Sequence, residues 1–245
     1  MLLSVIVPLY NEADIVEKTF SVFEEELKNI EHEIIFVNDG SKDKTREILE
    51  KLLLQTPHNK LVNFSRNFGH QAAFSAGIDK AEGDAVVIID GDLQDPPALI
   101  HAMLEKWREG YQVVYAQRRK RKGETFFKKF TAYAFYRCFA KLTNIEIPPD
   151  TGDFRLMDRV VVDHLKNLPE RSRFLRGLVC WVGFKKIGVF YDRAERTAGK
   201  SKYPFRKMFR LAFDGITGFS SAPLKISFSV GCLSTFLAIA LFIWT

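Results

Sequence analysis

The chain has 245 residues, of which 47% are hydrophobic and 22 are Phe, and carries a formal net charge of +6. That length accommodates one α/β domain with a sizeable core plus appended elements, and the basic balance points to acidic partners as readily as to a generally basic cytoplasmic protein. The three cysteines, Cys138, Cys180 and Cys232, form no close pair, which argues against a disulfide framework or a zinc site and for a reducing compartment.

No basic n-region precedes the first apolar run, so no signal peptide is expected. Leu3 to Leu9 predicts a buried strand, and Glu12 to Lys28 a helix. Strand-like runs follow at Glu33–Asn38, Lys60–Phe64, Ala85–Asp90 and Val113–Ala116. Helical patterns separate them at Asp43–Gln55, at His70–Ala81 and after Pro96-Pro97, where a missing N–H costs little. This alternation predicts an α/β fold: a mostly parallel sheet flanked by helices, with ligands beyond the carboxyl ends of its strands. The second half is expected to hold an aromatic helix at Thr125–Leu142, a short strand at Asp153–Met157, helices at Asp158–Asn167 and Phe174–Val182, and a strand at Phe184–Tyr191. Arg193–Tyr203 reads as a polar loop. Pro204–Phe219 alternates basic and large apolar residues, as a helix in a membrane interface or one packed on the domain would. Ile226 to Thr245 has no charged residue, and about 20 such residues cross a bilayer core. Lys200, Lys202, Arg206, Lys207, Arg210 and Lys225 precede it, which places the large domain on the cytoplasmic side. The expected division is 1–203 catalytic domain, 204–223 juxtamembrane amphipathic helix and 224–245 transmembrane segment, with a longer parent protein left open.

The chemistry sits at strand ends. In VVIIDGDLQDPP, Asp90 and Asp92 flank a glycine, and an extended chain would put both carboxylates on one side. Hard divalent cations take such oxygens and keep water or diphosphate at their other positions. Gly91 would let a ligand approach the backbone, and Gln94 could add an amide oxygen. A simple acidic turn is the plainer explanation. In PLYNE, Asn11 could cap the next helix, Tyr10 could stack on a base and Glu12 could accept its hydrogen bonds, or the segment is only a strand–cap–helix junction. In VNDGS, Asp39 is placed to bond a nucleobase or ribose, while Gly40 and Ser41 turn the chain.

Together PLYNE, VNDGS and DGD resemble the family-two glycosyltransferases, which have the GT-A fold. The resemblance implies that Pro8, Tyr10, Glu12, Val37 and Asp39 hold the nucleotide. It implies that Asp90, Gly91 and Asp92 hold the diphosphate and a metal, Mg²⁺ or Mn²⁺, with Asp90 and Asp92 as ligands. SRNFGHQAAFSAGIDKAEGDAVVIIDGDLQDPP is similar to the polyprenyl-phosphate branch, including the dolichol-phosphate mannose synthases and the bactoprenol glucosyltransferases. TGDFRLMDR, LPERSRFLRGLVCWVGF and RAERTAGKSKY look most like the latter. Relatives of that branch usually carry two spans, and this chain has room for one. The resemblance places Asp153 in the site as a base or a positioning group. A strong base is not required, because a phosphate monoester is largely ionised near neutral pH. Arg155 could pair with a nearby carboxylate. By the same resemblance Arg196 and Lys202 contact donor or acceptor phosphates. Gly199-Lys200-Ser201 is no Walker loop, since Ala194 stands where its first glycine would be. The basic run Arg118–Lys122 is either a solvated segment or a phosphate-facing or lipid-facing loop, with Arg118 the foremost substrate contact. The five histidines are scattered, and none is assigned a catalytic role.

The implied reaction is inverting transfer of a sugar, first glucose from UDP-glucose, to undecaprenyl or another polyprenyl phosphate at the cytoplasmic face of the cell membrane. Asp92, Asp153, Arg196 and Lys202 are the expected catalytic set. The expected partners are the nucleotide sugar, the polyprenyl phosphate and membrane lipid, and not nucleic acid; a homo-oligomer is left open. The alternatives are a mannose synthase using GDP-mannose and a non-enzymatic basic membrane-binding protein. A processive synthase would need Q-x-x-R-W, and a dinucleotide oxidoreductase would need G-x-G-x-x-G; neither motif is present.

Overall fold

A computed structural model describes residues 1–119, 148, 151–170, 173–192 and 218–244. The chain divides into two compact units, Met1–Gly123 with Pro148–Lys200, and Glu124–Ile147 with Ser201–Thr245.

The first unit is built on strands β1 (Leu3–Leu9), β2 (His32–Asn38), β3 (Lys60–Asn63), β4 (Ala85–Ile88), β5 (Val113–Arg118), β6 (Thr151–Asp158) and β7 (Lys186–Tyr191). They form one sheet in the order β3-β2-β1-β4-β6-β5-β7. All neighbours pair in parallel except β6, which runs antiparallel to both β4 and β5. β1 is buried along its whole length and β2 along all but its first residue, as central strands covered on both faces must be.

The covering helices present apolar residues at helical spacing. In α1 (Val16–Leu27) these are Val16, Phe23 and Leu27, with Thr19 among them. In α3 (His70–Lys80) they are Ala73, Phe74 and Ile78, and in α4 (Leu99–Arg108) Ile100, Met103 and Leu104. α2 (Thr45–Leu53) buries Thr45 and Leu49. α5 (Arg159–Lys166) starts at an aspartate cap, Asp158 accepting the Val160 N–H at 2.9 Å, and α6 (Leu175–Trp181) follows it.

Three local expectations change. Asn11 does not cap α1, which starts four residues after Glu12; Asn11 is left-handed, with φ 53°, and its side chain accepts the Lys42 N–H instead. Pro96 and Pro97 form the turn into α4 rather than its first residues, and their carbonyls accept the Leu99 and Ile100 N–H groups. β4 ends at Ile88, so Asp90 and Asp92 lie in a turn and not on an extended strand.

In the second unit the described residues contain α7 (Ala222–Trp244), of which Leu224–Trp244 is long and apolar enough to cross a membrane. The 124–147 and 204–217 stretches, the expected aromatic and juxtamembrane helices among them, lie outside the described residues.

Candidate active site

The carboxyl ends of β3, β2, β1 and β4 lie side by side, and hydrogen bonds stitch their loops together. The Asn11 N–H donates to Ser41 Oγ at 3.0 Å, Glu12 N–H to Thr45 Oγ1 at 2.9 Å and Asp39 N–H to the Leu9 carbonyl at 2.9 Å. Asp39, 4% exposed, accepts from Phe68 N–H at 2.7 Å, Gly69 N–H at 3.0 Å and Asn67 Nδ2 at 2.8 Å. Burial pushes its carboxyl up, against the lowering by these donors and by His70. Asp39 therefore anchors the loop that follows β3. Gly40 is required here: it has φ 66°, and a Cβ would lie 2.2 Å from the Arg66 carbonyl carbon.

Tyr10 and Glu12 are half-buried at the end of β1. Pro8 and Val37 are more deeply placed. They sit opposite each other within the β1–β2 ladder, Pro8 buried and Val37 with no exposed surface. Their side chains pack within the sheet, and any contact with a nucleotide would come through their backbone. Gly91 is likewise buried. A Cβ on it would meet Leu9 Cδ2 at 2.6 Å, and its carbonyl accepts from Thr19 Oγ1 at 2.9 Å, so close packing on β1 requires this glycine.

The aspartates of the turn are half-buried. Leu93 takes a left-handed φ of 54°, and Asp92 Oδ1 accepts the Gln94 N–H at 3.1 Å. Gln94 is 9% exposed, and its Nε2 is buried with no hydrogen-bond partner among the described residues. Asp95, at 2% exposure, accepts from the Tyr191 hydroxyl, and Arg118 donates to the same hydroxyl at 3.2 Å. Burial and the Asp95 charge push the Tyr191 hydroxyl up to about 12, so it remains a donor and ties β7 to the turn. Arg118 Nη2 stands 3.9 Å from Asp95.

The antiparallel register brings in β6. Ile88 pairs with Arg155, so Asp153 lies two residues further along, beside Asp90. His70, the first residue of α3, stands between them, with Nε2 2.7 Å from Asp90 Oδ1 and Nδ1 3.7 Å from Asp153 Oδ2. Burial alone would lower the imidazole, but Asp90 and then Asp153 outweigh it and raise it to about 8. Asp153, with a side chain 5% exposed, is gripped by Arg176 through two bonds of 2.8 Å. Burial would raise its carboxyl, yet Arg176, His70 and Arg155 hold it well below the usual carboxylate range. Arg155 itself donates to the Asp153 and Gly152 carbonyls, at 3.0 Å each.

His70 and Arg176 are the residues that sequence reasoning did not single out. His70 follows the end of β3 as the other motifs follow theirs, a positional signal that was available. Arg176 lies in α6 among several arginines and carries no such mark. Arg196 and Lys202 fall outside the described residues. The donor chemistry at Asp90 and Asp92, two half-buried carboxylates at an open strand end, fits a hard divalent cation.

Comparison with known proteins gives the family and the fold. The chain is 56% identical over 232 residues to an uncharacterised glycosyltransferase of Bacillus subtilis (strain 168), covering 94% of this chain and 72% of that one. It is 43% identical to the bactoprenol glucosyl transferase of Shigella phage SfV, covering 94% and 76%. Among solved structures, glucosyl-3-phosphoglycerate synthase from Mycobacterium tuberculosis, in complex with Mn²⁺, UDP-glucose and phosphoglyceric acid, superposes with a TM-score of 0.59. It is 20% identical, over 88% of this chain and 77% of that one. The mannosyltransferase of Pyrobaculum calidifontis, in complex with GDP-mannose and Mn²⁺, gives 0.54 at 19% identity, over 98% and 80%. These two share the fold. Residues 4–166 match the model of glycosyl transferase family 2, and the chain belongs to that family.

Proposed function

We propose that this glycosyltransferase moves a hexosyl group, glucose from UDP-glucose in the first instance, onto a polyprenyl phosphate at the cytoplasmic face of the membrane. The observation that carries the reading is the single carboxyl edge at which Tyr10, Glu12 and Asp39 of one half meet Asp90, Asp92 and the Asp153–Arg176 pair of the other. The 43% identity to bactoprenol glucosyl transferases supports the lipid acceptor. The proposed division is a catalytic domain over 1–203, a juxtamembrane helix over 204–223 and a span over 224–245.

Tyr10, Glu12 and Asp39 are assigned to the nucleotide. Asp90 and Asp92 would hold Mg²⁺ or Mn²⁺, which supplies charge neutralisation for the departing diphosphate. The phosphate oxygen of the acceptor attacks the anomeric carbon with inversion, and the bond to the nucleotide diphosphate breaks. The acceptor arrives largely ionised, so no strong base is needed. Asp153 suits a positioning role better than proton abstraction, because Arg176 keeps it ionised and weakly basic. Arg118, Arg196 and Lys202 are assigned to phosphate oxygens. The test is purified protein in detergent with polyprenyl phosphate, Mg²⁺ or Mn²⁺ and a panel including UDP-glucose and GDP-mannose, followed as lipid-linked radiolabelled product. Metal-dependent transfer that Asp92→Ala abolishes is the expected result. Vesicle binding without metal-dependent nucleotide binding would replace the enzyme by a basic membrane binder.

A further inference from the structure

At the opposite end of β2 from Asp39, three side chains from separate elements converge: Glu24 of α1, His32 at the start of β2 and His58 in the turn between α2 and β3. One ligand atom from each lies within 4.8 Å of the others. Glu24 Oε2 is 3.8 Å from His32 Nε2, Glu24 Oε1 is 4.0 Å from His58 Nε2, and the two imidazoles meet edge to face with centroids 5.3 Å apart.

The tautomer of His32 gives the cluster its meaning. Its Nδ1 lies 2.7 Å from the Ile30 carbonyl, which can only accept, so Nδ1 carries the proton. In the neutral ring Nε2 then bears a lone pair. That atom is buried, has no hydrogen-bond partner among the described residues and is aimed at a carboxylate; the His32 side chain is 9% exposed. A lone pair facing carboxylate oxygens is relieved by a cation between them, a proton or a metal ion, and the second imidazole of His58 beside them suits the metal. The surroundings have the form of a supported metal site. The backbone carbonyl orients His32, and Asn59, 8% exposed, donates to Glu24 Oε1 at 2.6 Å while accepting the Ile34 N–H at 2.8 Å.

We propose that Glu24, His32 and His58 bind a divalent cation of the zinc class, separate from the catalytic carboxylates, with water completing a tetrahedron. Two imidazoles and one carboxylate favour Zn²⁺ or Co²⁺ over Mg²⁺, which prefers oxygen donors. Ligands about 2.1 Å from zinc lie roughly 3.4 Å apart. Small turns of Glu24 and of the 46%-exposed His58 would bring the 3.8 and 4.0 Å separations to that value. Bound metal would clip α1, β2 and the start of β3 together. Cysteine spacing argued against zinc in this chain; a His–Glu site assembled across three elements leaves no such spacing to read.

The experiment uses the full chain in detergent, without a histidine tag, stripped by chelator and carrying Asp92→Ala so that the catalytic site is silent. Equilibrium dialysis is expected to show one Zn²⁺ per chain, retained against excess Mg²⁺, together with a rise in Tm. His58→Gln, a surface change, is expected to weaken zinc binding by about tenfold or more. In the otherwise unaltered chain His58→Gln leaves sugar transfer in Mg²⁺ unchanged. Absence of bound zinc, or zinc held equally well after His58→Gln, would overturn the proposal.

Discussion

The Asp153 carboxylate has two oxygens in a site that admits almost no water, and each meets one nitrogen of Arg176 at 2.8 Å. Removing the arginine leaves a buried charge offset by His70 at 3.7 Å and by the Arg155 charge. Breaking such a pair costs roughly 3 kcal/mol, toward the low end of the usual range because Arg176 is a quarter exposed. Arg176→Ala is expected to lower the urea midpoint by that amount and to abolish transfer. Arg176→Lys keeps the charge and loses the fork, so it should retain more stability than activity. Asp153→Asn combined with Arg176→Ala should recover part of the stability and none of the transfer, since the double change no longer buries an unpaired charge. An Arg176→Ala chain as stable as the wild type would show that the pair is not structural.

At the scale of elements, the sheet is pinned at its other end by a second buried carboxylate. Glu33, 3% exposed, accepts from Ser4 Oγ at 2.5 Å and Glu82 N–H at 2.8 Å, and lies 2.7 Å from Lys60 Nζ, joining β2, β1, β3 and the turn before β4. Burial would raise its carboxyl, but Lys60, Ser4 and the Glu82 N–H together hold it below the ordinary 4.5. The folded state therefore prefers the ionised form. This contribution is complete above about pH 4.5 and is lost as pH falls through the lowered folded value. Urea unfolding of wild type and Glu33→Gln should thus differ most near neutral pH and converge in acid; a constant difference would contradict the linkage. The strand ends were legible because each element's periodicity and its terminal polar motif lie within a dozen residues of sequence. The pairing of β6 against β4, which sets Asp153 beside Asp90, depends on register between strands some 65 residues apart, and no local pattern encodes it. Arg176 was concealed in a similar way, since it meets Asp153 across 23 residues of chain. Gly91 and Val37 carry motif status in the sequence and are buried packing residues in the fold as well, a second role that the motif alone does not reveal.

For the whole molecule, the proposed lipid acceptor raises the question of what would hold the chain to a membrane. Two forces are available, a net charge of +6 and the apolar helix α7. They respond differently to salt: surface attraction falls as the Debye length shrinks from about 10 Å at 0.1 M to about 3 Å at 1 M, whereas burial of apolar side chains does not weaken. Leu233 and Leu237 near the middle of α7 are 60% and 53% exposed, and among the described residues none of the candidate span is buried. Lipid is the covering proposed for this apolar surface, and a bilayer core fits its length. Wild-type protein in isolated membranes is expected to stay in the pellet through a 1 M salt wash and alkaline carbonate. Leu233→Arg with Leu237→Arg adds about 2.5–3.5 kcal/mol per arginine to insertion, and the variant should be released by the salt wash. Its transfer to a short, water-soluble polyprenyl phosphate should persist, because the strand-end residues lie in the other compact unit. Release of the wild type by salt alone would make charge the anchor, and α7 would then need a protein partner to cover it.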